Sequence, residues 1–253
     1  MINKNKIHSS KEYNTWFNSK YYHILYKDRD NKEAKKFISK LTEKLNLKKN
    51  AKILDAACGK GRHAIEIEKL GYNVTGIDLS ENSINYAKSY ENNNLKFLIH
   101  DISVPLRHKF DAVFNLFTSF GYYNRKKDLQ ILLAIEKNLN KNGIGVIDFF
   151  NISDVKKNLV KKESTTKQEI LFNITRKIKN NIVEKNISIE DKSKKYFYKE
   201  TVNSLGLEDF KKYFKKTKME ITDVFGDYQL NNFVKNKSPR LIIIFKKKSQ
   251  PNK

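Results

Sequence analysis

The stretch ILDAACGKGRHAIEIEKLGYNVTGIDLS, residues 53–80, decides the fold. Its first apolar run ends in Asp55 and enters a tight turn that contains Gly59 and Gly61. The residues after this turn carry apolar side chains at helical spacing, up to a glycine that is typical of a helix C-terminus. A second apolar run then ends in another acid, Asp78. This order predicts a strand, a tight turn, a helix and a second strand parallel to the first.

The same alternation of strands and helices continues on both sides of this stretch. An amphipathic helix is predicted at 31–46, because its apolar residues recur at three- and four-residue intervals. Short apolar runs predict strands at 51–56, 72–78, 95–101, 110–117 and 143–150. A further helix before the fifth strand is expected to include Leu129, Leu132 and Leu139. We therefore expect an α/β protein with a Rossmann-like, mostly parallel sheet of seven strands, covered by helices on both faces.

The pattern changes after residue 150. Alternating apolar residues around a polar turn predict antiparallel strands, and thus an insertion on the sheet. Within it, Tyr196 and Tyr198 are expected to point in different directions and Glu200 to be solvated. Two last apolar runs predict closing strands that pair antiparallel at one edge. The predicted division is a segment at 1–30, a main domain at 31–150 and 206–246, and an insertion at 151–205 that covers the site.

Composition excludes several classes of protein. The chain has 253 residues, of which 39% are hydrophobic and 12% aromatic, so it can bury a core and is not disordered throughout. Its longest aliphatic run is far shorter than the roughly 20 residues of a membrane span, and its first residues are polar. We expect a soluble, cytoplasmic protein without a membrane partner. The only cysteine, Cys58, cannot form an internal disulfide, and no cysteine and histidine spacing predicts a metal site.

The formal net charge of +23 raises the possibility of a nucleic-acid partner. Only six of the 51 basic residues are arginines, the side chain that reads phosphates and bases best. The middle of the chain is nearly neutral, and the basic residues lie mainly in its flanks. This pattern favours a solvated, compositionally biased surface, with nucleic acid as the alternative partner.

The glycine turn and its two acids predict a nucleoside cofactor. N–H groups exposed at the start of a helix favour a polar or anionic ligand group, and Asp78 stands where an acid can accept both ribose hydroxyls. Gly59, Gly61 and Ala64 also satisfy the dinucleotide pattern G-x-G-x-x-G/A. Asp55 argues against a pyrophosphate at this turn, because the two negative charges would repel. Asp55 instead favours S-adenosylmethionine as the cofactor, because this molecule carries a positively charged ammonium and a positively charged sulfonium.

The motifs DAACGKGRH, GIDLS, HDIS, FDAVFNLF and NKNG resemble, in order and spacing, those of the class I S-adenosylmethionine-dependent methyltransferases, over about residues 31–150. The family has a seven-stranded sheet whose last strand is antiparallel. The resemblance implies that Asp55, Gly59 and Gly61 line the methionine end of the cofactor and that Asp78 holds its ribose. It also implies that Asp101 and Ile102 hold the adenine. Asn115, Leu116 and Phe117 would then contact the flank of the cofactor. Leu79 and Ala57 complete this set, and Ala57 stands where the family has its usual first glycine.

The N-terminal segment is similar to that of bacterial methyltransferases of unassigned substrate. By this resemblance Tyr22, Tyr26 and Arg29 help to cover the cofactor, and Arg29 is a candidate partner for the methionine carboxylate. The alternative is that these aromatic side chains only pack on the sheet.

Methyl transfer from a sulfonium is an in-line displacement, so no single residue type is obligatory. The catalytic residues are therefore unknown, with His23, Tyr122 and Tyr123 as candidates. Cys58 lies inside the glycine turn and is interpreted as structural, which argues against methylation of cytosine carbon. The stretch NLFTSFGYY lacks the Asn/Asp-Pro-Pro-aromatic turn of enzymes that methylate exocyclic or amide nitrogens on planar groups.

The favoured hypothesis is an enzyme that transfers a methyl group from S-adenosylmethionine to an oxygen or nitrogen of a small molecule. Methylation of tRNA or rRNA, a cofactor-binding subunit without catalytic activity and a dehydrogenase remain alternatives. The sequence predicts neither the acceptor nor the oligomeric state.

Overall fold

A sheet of seven strands forms the centre of the protein. The computed structural model describes residues 15–27 and 31–248. The strands are β1 (Lys52–Ala56), β2 (Asn73–Asp78), β3 (Leu95–Ile99), β4 (Phe110–Asn115), β5 (Leu139–Phe150), β6 (Lys162–Lys167), β7 (Ile170–Lys179), β8 (Ile182–Asp191), β9 (Lys194–Asn203), β10 (Met219–Phe225) and β11 (Arg240–Lys247). The large sheet has the order β10-β11-β5-β4-β1-β2-β3. Strands β1 to β5 are parallel, and β11 is antiparallel to both of its neighbours. The predicted Rossmann-like fold is confirmed.

Helices cover both faces of this sheet. They are α1 (Lys20–Leu25), α2 (Asn31–Leu45), α3 (Arg62–Lys69), α4 (Glu81–Ala87), α5 (Arg125–Asn138), α6 (Ile152–Asn158) and α7 (Leu207–Phe214). Helices α2, α3 and α4 bury Ile38, Ala64 and Ile84 on one face. On the other face, α5 and α7 bury Leu132 and Phe210. Within the described residues, no helix combines the length and the apolarity that a membrane crossing requires.

Strand β11 shows why the run RLIIIF is apolar throughout. Leu241, Ile243 and Phe245 join the core beneath α5 and α7. Ile242 and Ile244 point the other way and join the core beneath α2, α3 and α4. A strand buried on both faces needs apolar side chains at every position, whereas a half-solvated strand alternates. This strand therefore lies inside the sheet, with β10 at the edge.

A second sheet of four antiparallel strands, in the order β6-β7-β8-β9, forms the predicted insertion. One of its faces carries Phe172, Ile174 and Ile187, which pack against Trp16 and Tyr21. The N-terminal segment thus contributes Trp16 and Tyr21 to the core of the second sheet. The limits of the three predicted parts of the chain stay a prediction.

Two local predictions are wrong. Leu139 does not belong to the helix before the fifth strand, because α5 ends at Asn138 and Leu139 pairs with Phe110 in the sheet. Tyr196 and Tyr198 do not point in different directions. Residues two apart lie on the same side of a strand, and both tyrosines pack against the cluster of the N-terminal segment.

Candidate active site

Hydrogen bonds fix the turn between β1 and α3 to the end of β2. The N–H of Cys58 donates to the carbonyl of Ile77 at 2.9 Å, and the N–H of Gly59 donates to Oδ2 of Asp78 at 2.9 Å. Oδ1 of Asp78 accepts from the N–H of Ser80 at 2.8 Å. A carboxylate has about four acceptor sites. Asp78 is therefore held in place and keeps capacity for further donors.

Three residues of this turn have left-handed backbone conformations. They are Ala57, Gly59 and Gly61, with φ of 66°, 55° and 80°. A Cβ on Gly59 would meet nothing within 4 Å, whereas a Cβ on Gly61 would lie 2.6 Å from the ring of Phe97. Gly61 thus lets the helix start pack on Phe97, and Gly59 leaves open space beside the backbone. Ala57 adopts a left-handed conformation, which is unfavourable for a residue with a Cβ atom.

Asp55 is the buried acid at the end of β1. Its Oδ2 has no hydrogen-bond partner. Burial raises the pKa of Asp55 to about 7; Asp78 adds to this effect, and the N–H of Ala64 and the guanidinium of Arg62 oppose it. Because burial of an ion is unfavourable, a cation brought near this carboxyl would favour its ionised form.

Two neighbours of Asp55 complete the base of the site. Burial and the nearby acids Asp55 and Asp78 raise the pKa of the Cys58 thiol well above its usual value, so the thiol stays protonated at neutral pH. The Nδ2 of Asn115 donates to the carbonyl of Ala56 at 2.8 Å, and its Oδ1 is buried without a hydrogen-bond partner. The ends of β1 and β4 therefore each hold a buried polar oxygen without a hydrogen-bond partner.

A cavity of about 480 Å³ lies beside the glycine turn. The predicted cofactor residues that line it are Tyr22, Tyr26, Ala57, Gly59, Asp78, Leu116 and Phe117. The predicted cofactor residues outside its lining are Asp55, Gly61, Leu79, Asp101, Ile102 and Asn115. Arg29 lies outside the described residues. Of the candidate catalytic residues, His23 and Tyr122 line the cavity and Tyr123 does not.

Asp101, the predicted adenine partner, forms an ion pair. Its Oδ1 accepts from the N–H and Oγ of Ser103 at 2.8 Å, and its Oδ2 accepts from Nζ of Lys127 at 2.9 Å. Burial raises the pKa of Asp101, but these hydrogen bonds outweigh it and the net pKa is lowered. The Nζ of Lys127 also lies 5.7 Å from the ring centroid of Tyr123. An adenine amino group would thus share the Asp101 carboxylate with Lys127.

The N-terminal segment, residues 15–27, spans from α4 to the second sheet. Oδ1 of Asn18 accepts from Oγ of Ser80 at 3.0 Å and from the N–H of Asn82 at 2.9 Å. At the other side, the hydroxyl of Tyr21 donates to Oδ2 of Asp191 at 2.9 Å. The segment therefore crosses over the cavity and is anchored at both sides.

Side chains from three parts of the chain meet at one end of the cavity. The hydroxyl of Tyr122 donates to Oε1 of Glu200 at 3.2 Å, and Nζ of Lys185 lies 3.8 Å from Oε2 of Glu200. Lys185 also donates to the hydroxyl of Tyr26. The ring of Phe17 packs edge-on against Tyr122 at 5.4 Å. Glu200 was expected to be solvated, and this prediction is wrong; its position on the same face as Tyr198 was the available signal.

The turn after β4 is held by side chains of β5 and β11. Phe117 and Thr118 have φ of 57° and 59°. The N–H of Phe117 donates to Oδ2 of Asp148 at 2.8 Å, and Nη2 of Arg240 donates to Oγ1 of Thr118 at 3.0 Å. Arg240 also pairs with Asp148 at 2.7 Å. Phe120, two residues after Thr118, is fully buried in the core.

Comparisons with known proteins agree on one family. A family model described as a methyltransferase domain matches residues 47–223. The chain is 32% identical over 100 residues to a probable S-adenosyl-L-methionine-dependent methyltransferase, TehB, of Haemophilus influenzae strain 10810. This alignment covers 38% of the chain, and the chain spans about a third (35%) of the length of that relative.

Two solved structures share the fold over most of both chains. An S-adenosylmethionine-dependent methyltransferase from Clostridium acetobutylicum ATCC 824 has a TM-score of 0.77 at 21% identity, covering 90% of this chain and 96% of that one. CalS10, an amino pentose methyltransferase from Micromonospora echinaspora solved with S-adenosylmethionine bound, has a TM-score of 0.66 at 16% identity, covering 90% and 97%.

Proposed function

Because the chain belongs to the methyltransferase domain family, we propose that it transfers a methyl group from S-adenosylmethionine to an oxygen or nitrogen of a small molecule. The observation that carries this proposal is the placement of two acids, Asp55 and Asp78, at a glycine turn beside one cavity. A carboxylate at this turn suits a cationic donor better than a pyrophosphate.

The residues at the turn fit this cofactor. Asp78 has acceptor capacity for ribose hydroxyls, and Gly59 leaves space for close approach of a ligand to the backbone. The unpartnered oxygens of Asp55 and Asn115 suit the ammonium end of a methionine group. Asp101 and Ile102, behind the cavity lining, are the proposed adenine contacts. Tyr22, Tyr26, Leu116 and Phe117 would flank the cofactor.

When bound, S-adenosylmethionine supplies an electrophilic methyl group on a sulfonium. We assign Tyr122 and Glu200 to the acceptor end of the cavity, because both line it and lie within hydrogen-bond distance of each other. Since Tyr122 donates its hydroxyl proton to Glu200, its oxygen is an acceptor toward the cavity. Tyr122 can take the proton of the acceptor's O–H or N–H at this oxygen, and Glu200 takes the tyrosine proton at Oε1.

The cover over part of the cavity favours a small acceptor. The N-terminal segment and the second sheet meet over the cavity through Tyr26, Lys185 and Glu200. Such a cover limits the size of the acceptor. CalS10 is an amino pentose methyltransferase, a relative that acts on a small molecule.

The direct test is methylation by radiolabelled S-adenosylmethionine of the small-molecule and RNA fractions of one cell extract. We expect label in the small-molecule fraction. Label confined to RNA, with binding that weakens steeply between about 50 and 200 mM salt, would favour the RNA alternative. Cofactor binding without any labelled product would support a cofactor-binding subunit without catalytic activity.

Variants test the acceptor end. Tyr122→Phe and Glu200→Gln should lower the rate of methylation and leave the affinity for S-adenosylhomocysteine unchanged. Glu184→Gln is a matched control, because Glu184 lies on the same sheet in ion pairs with Lys177 and Lys199, at 2.9 and 2.8 Å, and does not line the cavity.

A further inference from the structure

The carboxylates on the cavity wall already have partners. Within the part of the chain that the structure describes, they are Glu66, Asp78 and Glu200. Glu66 forms an ion pair with Lys69 at 2.7 Å. Asp78 accepts hydrogen bonds from two backbone N–H groups, and Glu200 accepts one from the hydroxyl of Tyr122. The negative charges of the wall are thus engaged within the protein itself.

Two ammonium groups on the same wall have no acidic partner. Lys27 and Lys60 both line the cavity, and neither forms an ion pair with a described residue. Lys27 is exposed and Lys60 is half-buried. Burial lowers the pKa of Lys60, because the charged form loses hydration. An anion beside Lys60 would offset this loss.

Two exposed tyrosines of the wall lie beside Lys60. The Nζ of Lys60 is 4.6 Å from the ring centroid of Tyr86, and the hydroxyls of Tyr86 and Tyr90 are 3.1 Å apart. Because only one hydroxyl proton can be donated within this pair, the other remains for a ligand. We call Lys60, Tyr86 and Tyr90 the lysine–tyrosine rim. Its donors suit a ligand group with several acceptor oxygens, as an oxyanion has.

The charges around the cavity favour a negatively charged acceptor. The ammonium groups of Lys27 and Lys60 make the potential along this wall positive. The sulfonium of a bound S-adenosylmethionine adds another positive charge. A cationic acceptor would therefore be repelled, whereas an anionic acceptor would be attracted and oriented.

We propose that the methyl acceptor carries an oxyanion group, a carboxylate or a phosphate, that binds at the lysine–tyrosine rim with Lys60 as its ionic partner. Lys27 adds to the attraction from elsewhere on the wall. The reacting oxygen or nitrogen lies at the Tyr122 end of the same cavity. This inference rests on the proposed function, since it presumes methyl transfer in this cavity. It concerns only the class of acceptor, so it can fail while the proposed function stands.

The first test uses the unaltered protein. The small-molecule fraction of a cell extract is methylated with radiolabelled S-adenosylmethionine and passed over an anion exchanger at about pH 10, where most amines are neutral. We expect the labelled product to be retained and to elute with salt. Loss of retention after phosphatase treatment identifies a phosphate, and retention that survives it identifies a carboxylate. Labelled product in the flow-through would overturn the inference, whereas no labelled small molecule at all would mean that the proposed function is wrong.

The second test uses Lys60→Met with the retained acceptor pool as substrate. We expect the apparent KM for this pool to rise about tenfold, because a charge-assisted hydrogen bond is lost. The affinity for S-adenosylhomocysteine, measured by calorimetry, should change by less than about twofold. Lys88→Met is the matched control, because Lys88 is exposed between Tyr86 and Tyr90 in the chain and does not line the cavity. An unchanged KM in Lys60→Met would overturn the inference. A tenfold loss of S-adenosylhomocysteine affinity would also overturn it, because Lys60 would then bind the cofactor.

Discussion

The ionisation of Asp55 should make cofactor binding depend on pH. Burial raises the pKa of Asp55 to about 7, so the free protein holds a proton there in mildly acidic solution. A bound ammonium and sulfonium favour the ionised carboxylate, and binding below this pKa therefore releases the proton. Each pH unit below the pKa weakens binding by up to about tenfold, or about 1.4 kcal/mol. We expect S-adenosylmethionine to bind about tenfold more tightly near pH 8 than near pH 6.

The raised pKa of Asp55 has the opposite effect on the stability of the free protein, which is favoured at low pH. A raised carboxyl pKa contributes stability at low pH, and this contribution is lost as the pH rises through about 7. Cofactor binding should thus restore at high pH part of the stability that ionisation of Asp55 removes.

Calorimetry in two buffers of different ionisation enthalpy measures both the affinity and the proton released. Asp55→Asn should remove most of this pH dependence. Asp128→Asn is the matched control, because burial also raises the pKa of Asp128 to about 7. Asp128 lies away from the cavity, where it accepts hydrogen bonds from Asn203 and Tyr213. An affinity that does not change with pH, or a tenfold pH dependence that survives unchanged in Asp55→Asn, would refute the reasoning.

Three substitutions test other parts of the site. Ala57→Gly should raise the free energy of unfolding by about 0.5–1 kcal/mol. The substitution removes the strain of a left-handed alanine, and this gain is larger than the stability lost because glycine makes the unfolded chain more flexible. A lower thermal midpoint would contradict this. Asp78→Ala should weaken the binding of S-adenosylhomocysteine by about 1–3 kcal/mol, as measured by calorimetry. An unchanged affinity would mean that the ribose lies elsewhere. Asn18→Ala should speed ligand release by loosening the N-terminal segment, followed through the fluorescence of Trp16, the single tryptophan. An unchanged release rate would mean that the segment only packs.

The fold was predictable because its signals are local. Apolar periodicity and the glycine turn at Gly59 and Gly61 determine most of the strands and helices of the large sheet, and the resemblance to S-adenosylmethionine-dependent methyltransferases is confirmed at the level of the family. The error at Leu139 has a tertiary cause. Its apolar side chain fits a helical stripe, but pairing with Phe110 in the sheet decides its conformation.

The site was predictable only in part, because its walls come from distant parts of the chain. The acids Asp55 and Asp78 follow strands whose order is evident, so the sequence predicts that they converge. Glu200 meets Tyr122 only because the second sheet docks over the cavity, and docking of one sheet on another leaves no periodic signal.

The pairing of Arg240 with Asp148 and Thr118 has a practical consequence for anyone who shortens this protein. The region that matches the family model ends at residue 223, and β11 lies beyond it. A version trimmed to that region would keep every motif of the glycine turn and lose the guanidinium that pins two left-handed residues beside the cavity. The smallest working piece should therefore reach at least to the last residue of β11, because a strand far along the chain holds the turn that borders the cavity.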